Sequence, residues 1–278
     1  MNRKVMKKCT IVMMASLALG CAAAQADDKK LVLDGSTTVG PIAKAFAELY
    51  MKQKPDVTIT VSESGSGNGA KALLNGTCDI ATLSRNLKDS EREAMVAKGI
   101  EPTAFVVAYD ALPIIVHPSN KVKELTLEQL RDIYIGNITN WNQVGGLDGK
   151  IVVISRDTNS GTYETFKELV LKKDDKIIDK TEYVGSNGAL RLRVQTTKGA
   201  IGYIGLGFVD KTVKPLSIEG VVPSMETVLD KSYKLSRELF MFTNGTPAKD
   251  SLVGKFLDLA RSDKGREIIS EIGFVPVP

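Results

Sequence analysis

The chain has 278 residues, 43% hydrophobic and 25% charged, which is the make-up of a globular protein and excludes a disordered or collagen-like one. Its formal charge of +4 comes from Arg3, Lys4, Lys7 and Lys8 at the start, and the rest is balanced, with no clustered basic footprint for nucleic acid. A single histidine, His117, argues against histidine-rich metal sites and histidine-dependent triads.

Residues 1–26 read as an export signal. The basic start is followed by an apolar run, residues 10–19, too short to cross a bilayer, and Ala24-Gln25-Ala26 before Asp27 has the small-x-small form of a signal-peptidase site. Ala18-Leu19-Gly20-Cys21 resembles a lipoprotein signal, with Ala18 where leucine is usual. Cleavage after Ala26 and a soluble periplasmic product are expected, with lipid anchoring at Cys21 as the alternative. Cys9 and Cys21 then leave with the leader. Cys78 remains alone in an apolar stretch and reads as a small buried hydrophobe, with no disulfide framework.

Strand-like and helix-like segments alternate from there on, which predicts α/β layers around mostly parallel sheet. Residues 30–33 form a short apolar strand. Ile42, Phe46, Leu49 and Tyr50 repeat at helical spacing until Lys52, Lys54 and Pro55. A strand at 57–61, a short helix at 70–74 ended by Asn75-Gly76, and a strand at 78–83 follow. Ser90 with Glu93 forms a capping box for a helix stopped by Gly99. The apolar run 105–116, interrupted by Asp110 and Pro113, predicts a bent strand or one passing between two bodies.

Thr126 with Gln129 caps a further helix. A strand at 151–154, helices at 162–171 and 190–194, an apolar segment at 201–204 and a strand at 238–242 come next. Thr246-Pro247 reads as the start of a helix carrying Leu252, Phe256 and Leu259. The crossing candidates near 112–117 and 237–242 bracket a middle block, so two lobes are expected: residues 27–113 with 236–278, and residues 114–235.

One junction type recurs four times: a strand ends, a Ser/Thr/Gly/Asn cluster follows, and a helix begins. The clusters are Ser36-Thr37-Thr38, Ser64-Gly65-Ser66-Gly67-Asn68-Gly69, Asn159-Ser160-Gly161-Thr162 and Ser186-Asn187-Gly188. A helix start has N–H groups without intrahelical partners, and its dipole is worth about 0.3–1 kcal/mol to an anion. Glycine permits close approach, and hydroxyls add donors that turn to suit an oxygen. Any one cluster reads as an ordinary N-cap; four of them point to a shared oxyanion site. Arg156 and Arg85 each follow a strand end beside these clusters and offer a guanidinium fork.

Competing motifs are weaker. The glycines of 65–69 are too closely spaced for a dinucleotide fingerprint, and Lys71-Ala72 lacks the hydroxyl of a phosphate loop. Ser160 has no histidine near it in sequence to make it a nucleophile. Trp141 reads as a packing anchor.

At these residues the sequence resembles the periplasmic phosphate-binding proteins that feed ABC-type phosphate importers, over the whole mature chain. The likeness rests on Asp34-Gly35-Ser36-Thr37-Thr38, the 64–69 cluster, Arg156-Asp157-Thr158-Asn159-Ser160-Gly161-Thr162 and Gly199-Ala200-Ile201-Gly202-Tyr203, with support from residues 125–141. It implies the two-lobed venus-flytrap fold of type II, an α/β fold with two crossover strands, and a carrier of inorganic phosphate that docks on a membrane permease, with no catalysis, cofactor or metal. A monomer is expected. The implied phosphate-binding set is Ser36, Thr37, Thr38, Ser66, Gly67, Ser84, Arg85, Arg156, Ser160, Gly161, Thr162, Ser186 and Asn187.

The family's best-known members place an aspartate at the end of the third strand to accept the phosphate proton. Ser84 stands there instead, and Asp157, ahead of Glu63, is expected to supply that acceptor. A carrier of sulfate, molybdate or tungstate is the alternative, followed by an exported phosphatase or a sensor or adhesion factor on the same fold.

Overall fold

The computed structural model describes residues 29–278, so the export-signal reading lies outside the described residues. The chain opens with β1 (Lys30–Gly35), α1 (Gly40–Gln53), β2 (Thr58–Ser62), α2 (Ser66–Leu74), β3 (Ile80–Leu83), α3 (Asp89–Ala97) and β4 (Pro102–Ala111). It then runs through β5 (Ile114–Val116), β6 (Glu124–Leu125), α4 (Leu127–Ile135), β7 (Val152–Arg156), α5 (Gly161–Val170), β8 (Glu182–Val184), α6 (Asn187–Thr196), β9 (Ala200–Tyr203), β10 (Lys214–Ile218) and α7 (Met225–Leu229). It returns through β11 (Ser236–Asn244), α8 (Leu252–Asp258), α9 (Asp263–Glu271) and β12 (Val275–Pro276).

Two six-stranded sheets result, ordered β12-β4-β11-β3-β1-β2 and β6-β10-β5-β9-β7-β8. The apolar run near Asp110 resolves into β4 and β5, one on each sheet, parted at Leu112-Pro113. The outward and return passages lie side by side: Leu112 N–H donates to Leu235 O at 2.7 Å and the Tyr233 hydroxyl to Leu112 O at 3.2 Å. Two lobes joined by two crossovers result, as expected.

The sheets are mixed rather than mostly parallel. β1 pairs β2 and β3 in parallel, but β11 enters antiparallel between β3 and β4. In the second sheet β5 lies antiparallel to both β9 and β10. The passages between lobes supply these antiparallel strands, because a chain arriving from the opposite body runs against strands laid down by right-handed βαβ turns.

Each lobe has its own core. In the first, Ile42 and Phe46 of α1 pack with Leu31, Leu33 and Leu239 and with Phe256 of α8, ring edge on ring face at 6.1 Å. Burying such a side chain contributes about 1.5–3 kcal/mol. In the second, Phe166 of α5 stacks on Tyr203 of β9 at 4.1 Å and 4°, with Tyr134 of α4 at 4.4 Å. That stack clamps α5 to the sheet and fixes where its first turn lies. Trp141 is buried and donates Nε1–H to Gly199 O at 3.0 Å, an anchor as expected.

Several boundaries depart from the pattern-based expectation. The second helix begins at Ser66, inside the glycine-rich cluster, because Gly65 turns the chain at φ 102°, in the range that favours glycine. The third begins at Asp89 with Ser90 inside it, and the Glu91 carboxylate accepts the Lys88 N–H at 2.9 Å. The helix expected from Pro247 begins at Leu252, where the Ser251 hydroxyl accepts from Gly254 N–H at 3.0 Å. The Thr126–Gln129 capping box is present as read.

Candidate functional site

All four clusters meet between the lobes. The first lobe brings Thr37 and Thr38 ahead of α1 and Ser66 at the start of α2; the second brings Arg156 at the end of β7, Thr162 at the start of α5 and Asn187 at the start of α6. Thr38 Oγ1 lies 3.1 Å from Thr162 Oγ1. Arg156 Nη2 donates to Thr37 Oγ1 at 3.2 Å, and Asn187 Nδ2 donates to Thr37 Oγ1 at 3.4 Å and Thr38 Oγ1 at 2.9 Å. Gly67 N–H donates to Asn159 O at 2.9 Å, also across the cleft. The side-chain bonds among them join residues 119 to 150 apart in sequence, and the lobes stand closed on one another.

Glycine sets the closeness of that approach. A Cβ on Gly161 would lie 2.4 Å from Ser66 Oγ and 2.6 Å from Ser84 Oγ of the facing lobe. A Cβ on Gly35 would lie 2.2 Å from Thr82 O, and its φ is 135°.

The donors and acceptors are arranged with a sense. The Asn187 oxygen accepts the Gly205 N–H at 3.2 Å, which orients the amide nitrogen toward the threonines. Thr37 Oγ1 receives donors from Arg156 and Asn187. A hydroxyl whose lone pairs are so occupied must donate its own proton, and such protons suit an acceptor-only ligand, an anion.

Arg156 is 1% exposed. Nε donates to Val184 O at 3.1 Å and Nη2 to Gly185 O at 2.9 Å, while the buried Nη1 has no protein partner. Burial pushes its pKa down to about 10, with Asp157 and Tyr203 pulling up and Arg237 adding to the fall, so it is charged at neutral pH. A buried cation with an unused N–H edge is costly until an anion arrives. The Tyr203 hydroxyl accepts the Arg156 N–H at 3.3 Å and contacts Ser155 Oγ at 2.6 Å, tying the strand end to the aromatic stack.

Residues 21–264 match the PBP superfamily domain. The phosphate-binding protein PstS of Borreliella burgdorferi is 36% identical over 98% of this chain and 99% of its own length. The chain belongs to the PstS family of phosphate-binding proteins. A crystal structure of a phosphate ABC transporter substrate-binding protein from Clostridium perfringens, with bound phosphate, superposes with a TM-score of 0.82 at 37% identity, covering 90% of this chain and all (100%) of that one. An ABC-type phosphate transport receptor from Vibrio cholerae gives 0.73 at 34% identity, over 89% of this chain and 100% of that one.

The remaining expected residues divide in this PstS-family chain. The Ser160 and Ser186 hydroxyls cap α5 and α6, accepting from Tyr163 and Ala189 N–H at 3.3 and 3.1 Å, and the Ser36 hydroxyl shapes the turn before α1, accepting from Val39 N–H at 3.2 Å. Ser66 Oγ accepts from Ser84 N–H at 3.1 Å. Arg85 is engaged elsewhere: its two Nη atoms donate to Glu91 at 2.8 Å each, and its buried Nε has no partner. Asp157 Oδ1 accepts from Asn159 N–H at 2.9 Å, shaping the turn before α5, and Glu63 pairs with Lys44. Both carboxylates expected to accept a phosphate proton thus have other partners.

Two residues escaped the sequence reading. Arg237 and Asp110, buried partners on β11 and β4, form an ion pair at 2.7 Å beside Thr38 and Ser84. The available signal was Asp110 itself, an acid alone in an apolar run.

Proposed function

We propose that this chain is the exported binding protein of an ABC-type phosphate importer: it captures inorganic phosphate between its lobes, closes on it and presents it, as a monomer, to a membrane permease. The Clostridium perfringens relative is described with bound phosphate, and the Vibrio cholerae one is named a phosphate transport receptor. The observation that carries the reading is the buried, unpartnered Nη1 of Arg156 where four helix starts converge. Thr37, Thr38, Ser66, Ser84, Arg156, Gly161, Thr162 and Asn187 supply the donors, while the Gly67 N–H is spent on Asn159 O and ties the lobes together. Ser36, Ser160 and Ser186 shape the helix starts and can still donate their own protons.

The mechanism follows from the paired lobes. The open form admits a hydrated anion. Closure replaces its water with fixed donors and settles the Arg156 charge, so binding energy drives closure. A micromolar dissociation constant needs about 8 kcal/mol, within reach of a few charge-assisted bonds of about 1.5–3 kcal/mol each after ordering costs.

Calorimetric titration of phosphate-stripped protein with phosphate, sulfate, molybdate and tungstate tests this. Phosphate is expected to bind at micromolar concentration or tighter and ahead of the others; preference for another oxyanion would make the chain its carrier instead. The hydrolase reading is disfavoured because the Ser160 hydroxyl caps α5 and His117 Nδ1 contacts Ser119. Turnover of a chromogenic phosphate ester above blank would reinstate it.

A further inference from the structure

The floor of the cleft holds a second guanidinium. Arg237 Nε and Nη2 donate to Asp110 Oδ2 at 3.0 and 2.7 Å, and the two side chains are 4% and 0% exposed. Its remaining contacts are Nη1 to Ser84 O at 3.2 Å and Nη2 to Thr38 Oγ1 at 3.4 Å. Asp110 Oδ1 in turn accepts Leu206 N–H, from the other lobe, at 2.8 Å. The neighbouring Gly205 donates to Asn187 Oδ1, and Asn187 Nδ2 comes back to Thr38 Oγ1. Thr38, Arg237, Asp110, residues 205–206 and Asn187 therefore close a ring of hydrogen bonds that passes through both lobes.

The ring has a direction. Guanidinium and amide N–H groups only donate. With Arg237 and Asn187 both on Thr38 Oγ1, its lone pairs are taken, and the hydroxyl proton must leave toward Thr162 Oγ1 or a ligand oxygen beside it. Without Arg237 the hydroxyl is free to turn a lone pair to the cleft, which an anion repels.

Building on the phosphate reading of this cleft, we propose that Arg237, held by Asp110, is a positioning residue: it fixes Thr38 as a hydrogen-bond donor, and the Asp110–Leu206 bond makes that setting conditional on closure. Arg237 acts through Thr38, so its removal matters only while the Thr38 hydroxyl is present.

The test is a cycle of phosphate titrations on the exported chain. Asp110→Asn together with Arg237→Gln replaces the ion pair by a neutral amide pair of similar shape. That change is expected to weaken phosphate binding about 10-fold or more with Thr38 in place, the worth of one hydrogen bond to a charged group. On top of Thr38→Val it costs less than about 2-fold, and on top of Thr38→Ser, which keeps the hydroxyl, the full loss returns. Equal losses in the Thr38 and Thr38→Val backgrounds overturn the proposal and make the pair a strut. Should the amide pair fail to melt cooperatively, Arg237→Lys, which keeps the charge and loses the fork, is run through the same cycle and judged by the same criterion. A wild-type chain that gives no heat with phosphate overturns the phosphate reading and this proposal with it; wild-type binding with an additive cycle overturns this proposal alone.

Discussion

Arg156 is buried, charged and short of one acceptor, and an anion between the lobes removes that cost. Arg156→Lys keeps the charge and loses the planar fork. Losing one charge-assisted bond is expected to weaken phosphate binding by about 10- to 150-fold, measured by calorimetry; unchanged affinity would take Arg156 out of the site. Gly161→Ala tests the close approach of the lobes. Its methyl would strike Ser66 and Ser84 only when the lobes are shut, while alanine is welcome in the first turn of α5. Overpacking of about 1–3 kcal/mol falls on the closed state, so affinity drops about 5- to 150-fold while the melting temperature without ligand holds. Cys78 belongs to the core: burial first, then Asp34 and Asp79, push its thiol up to about 12. A thiol reagent is expected to label it after unfolding and leave the native protein untouched at neutral pH.

Among the elements, α3 shows how an ion pair can serve a fold rather than a ligand. Burial raises the Glu91 carboxyl, but bonds from Arg85 and the Lys88 N–H outweigh it and leave its pKa below the ordinary 4.5. The pair's contribution is therefore present above that value and lost as the pH falls through the lower, folded-state value. Wild type should melt above Glu91→Gln at pH 7, with the gap closing as the pH falls below the ordinary carboxyl value of 4.5; a gap that persists in strong acid would contradict the assignment.

The same scale shows what the sequence could reveal. Helix starts were legible because Ser, Thr, Gly and Asn at strand ends carry local chemistry, and their repetition marked a shared site. The passage at Leu112-Pro113 was legible as a break in an apolar run. The Arg237–Asp110 pair was not, because residues 127 apart in sequence meet only through the order of β11 and β4. The fate of Arg85 turned on Glu91, a partner one helical turn into α3 that spacing alone does not select. Short β6, β8 and β12 are two or three residues long, too brief for any periodicity to mark.

For the molecule as a whole, each lobe packs around its own hydrophobic clusters and two adjacent passages join them; in the proposed mechanism one lobe swings on the other, and the cleft contacts are what closure adds. A ligand that binds only the closed form stabilises the fold by mass action, about 2.7 kcal/mol at a hundred times the dissociation constant. Phosphate is thus expected to raise the melting temperature and shrink the radius of gyration in solution scattering, and Gly161→Ala should blunt both. The most direct measurement is a crystal structure grown with phosphate. The account predicts one tetrahedral anion within hydrogen-bond distance of Arg156 Nη1 and of the Thr37, Thr38, Ser66 and Thr162 donors. An anion bound elsewhere, with Arg156 Nη1 facing only protein, would contradict it.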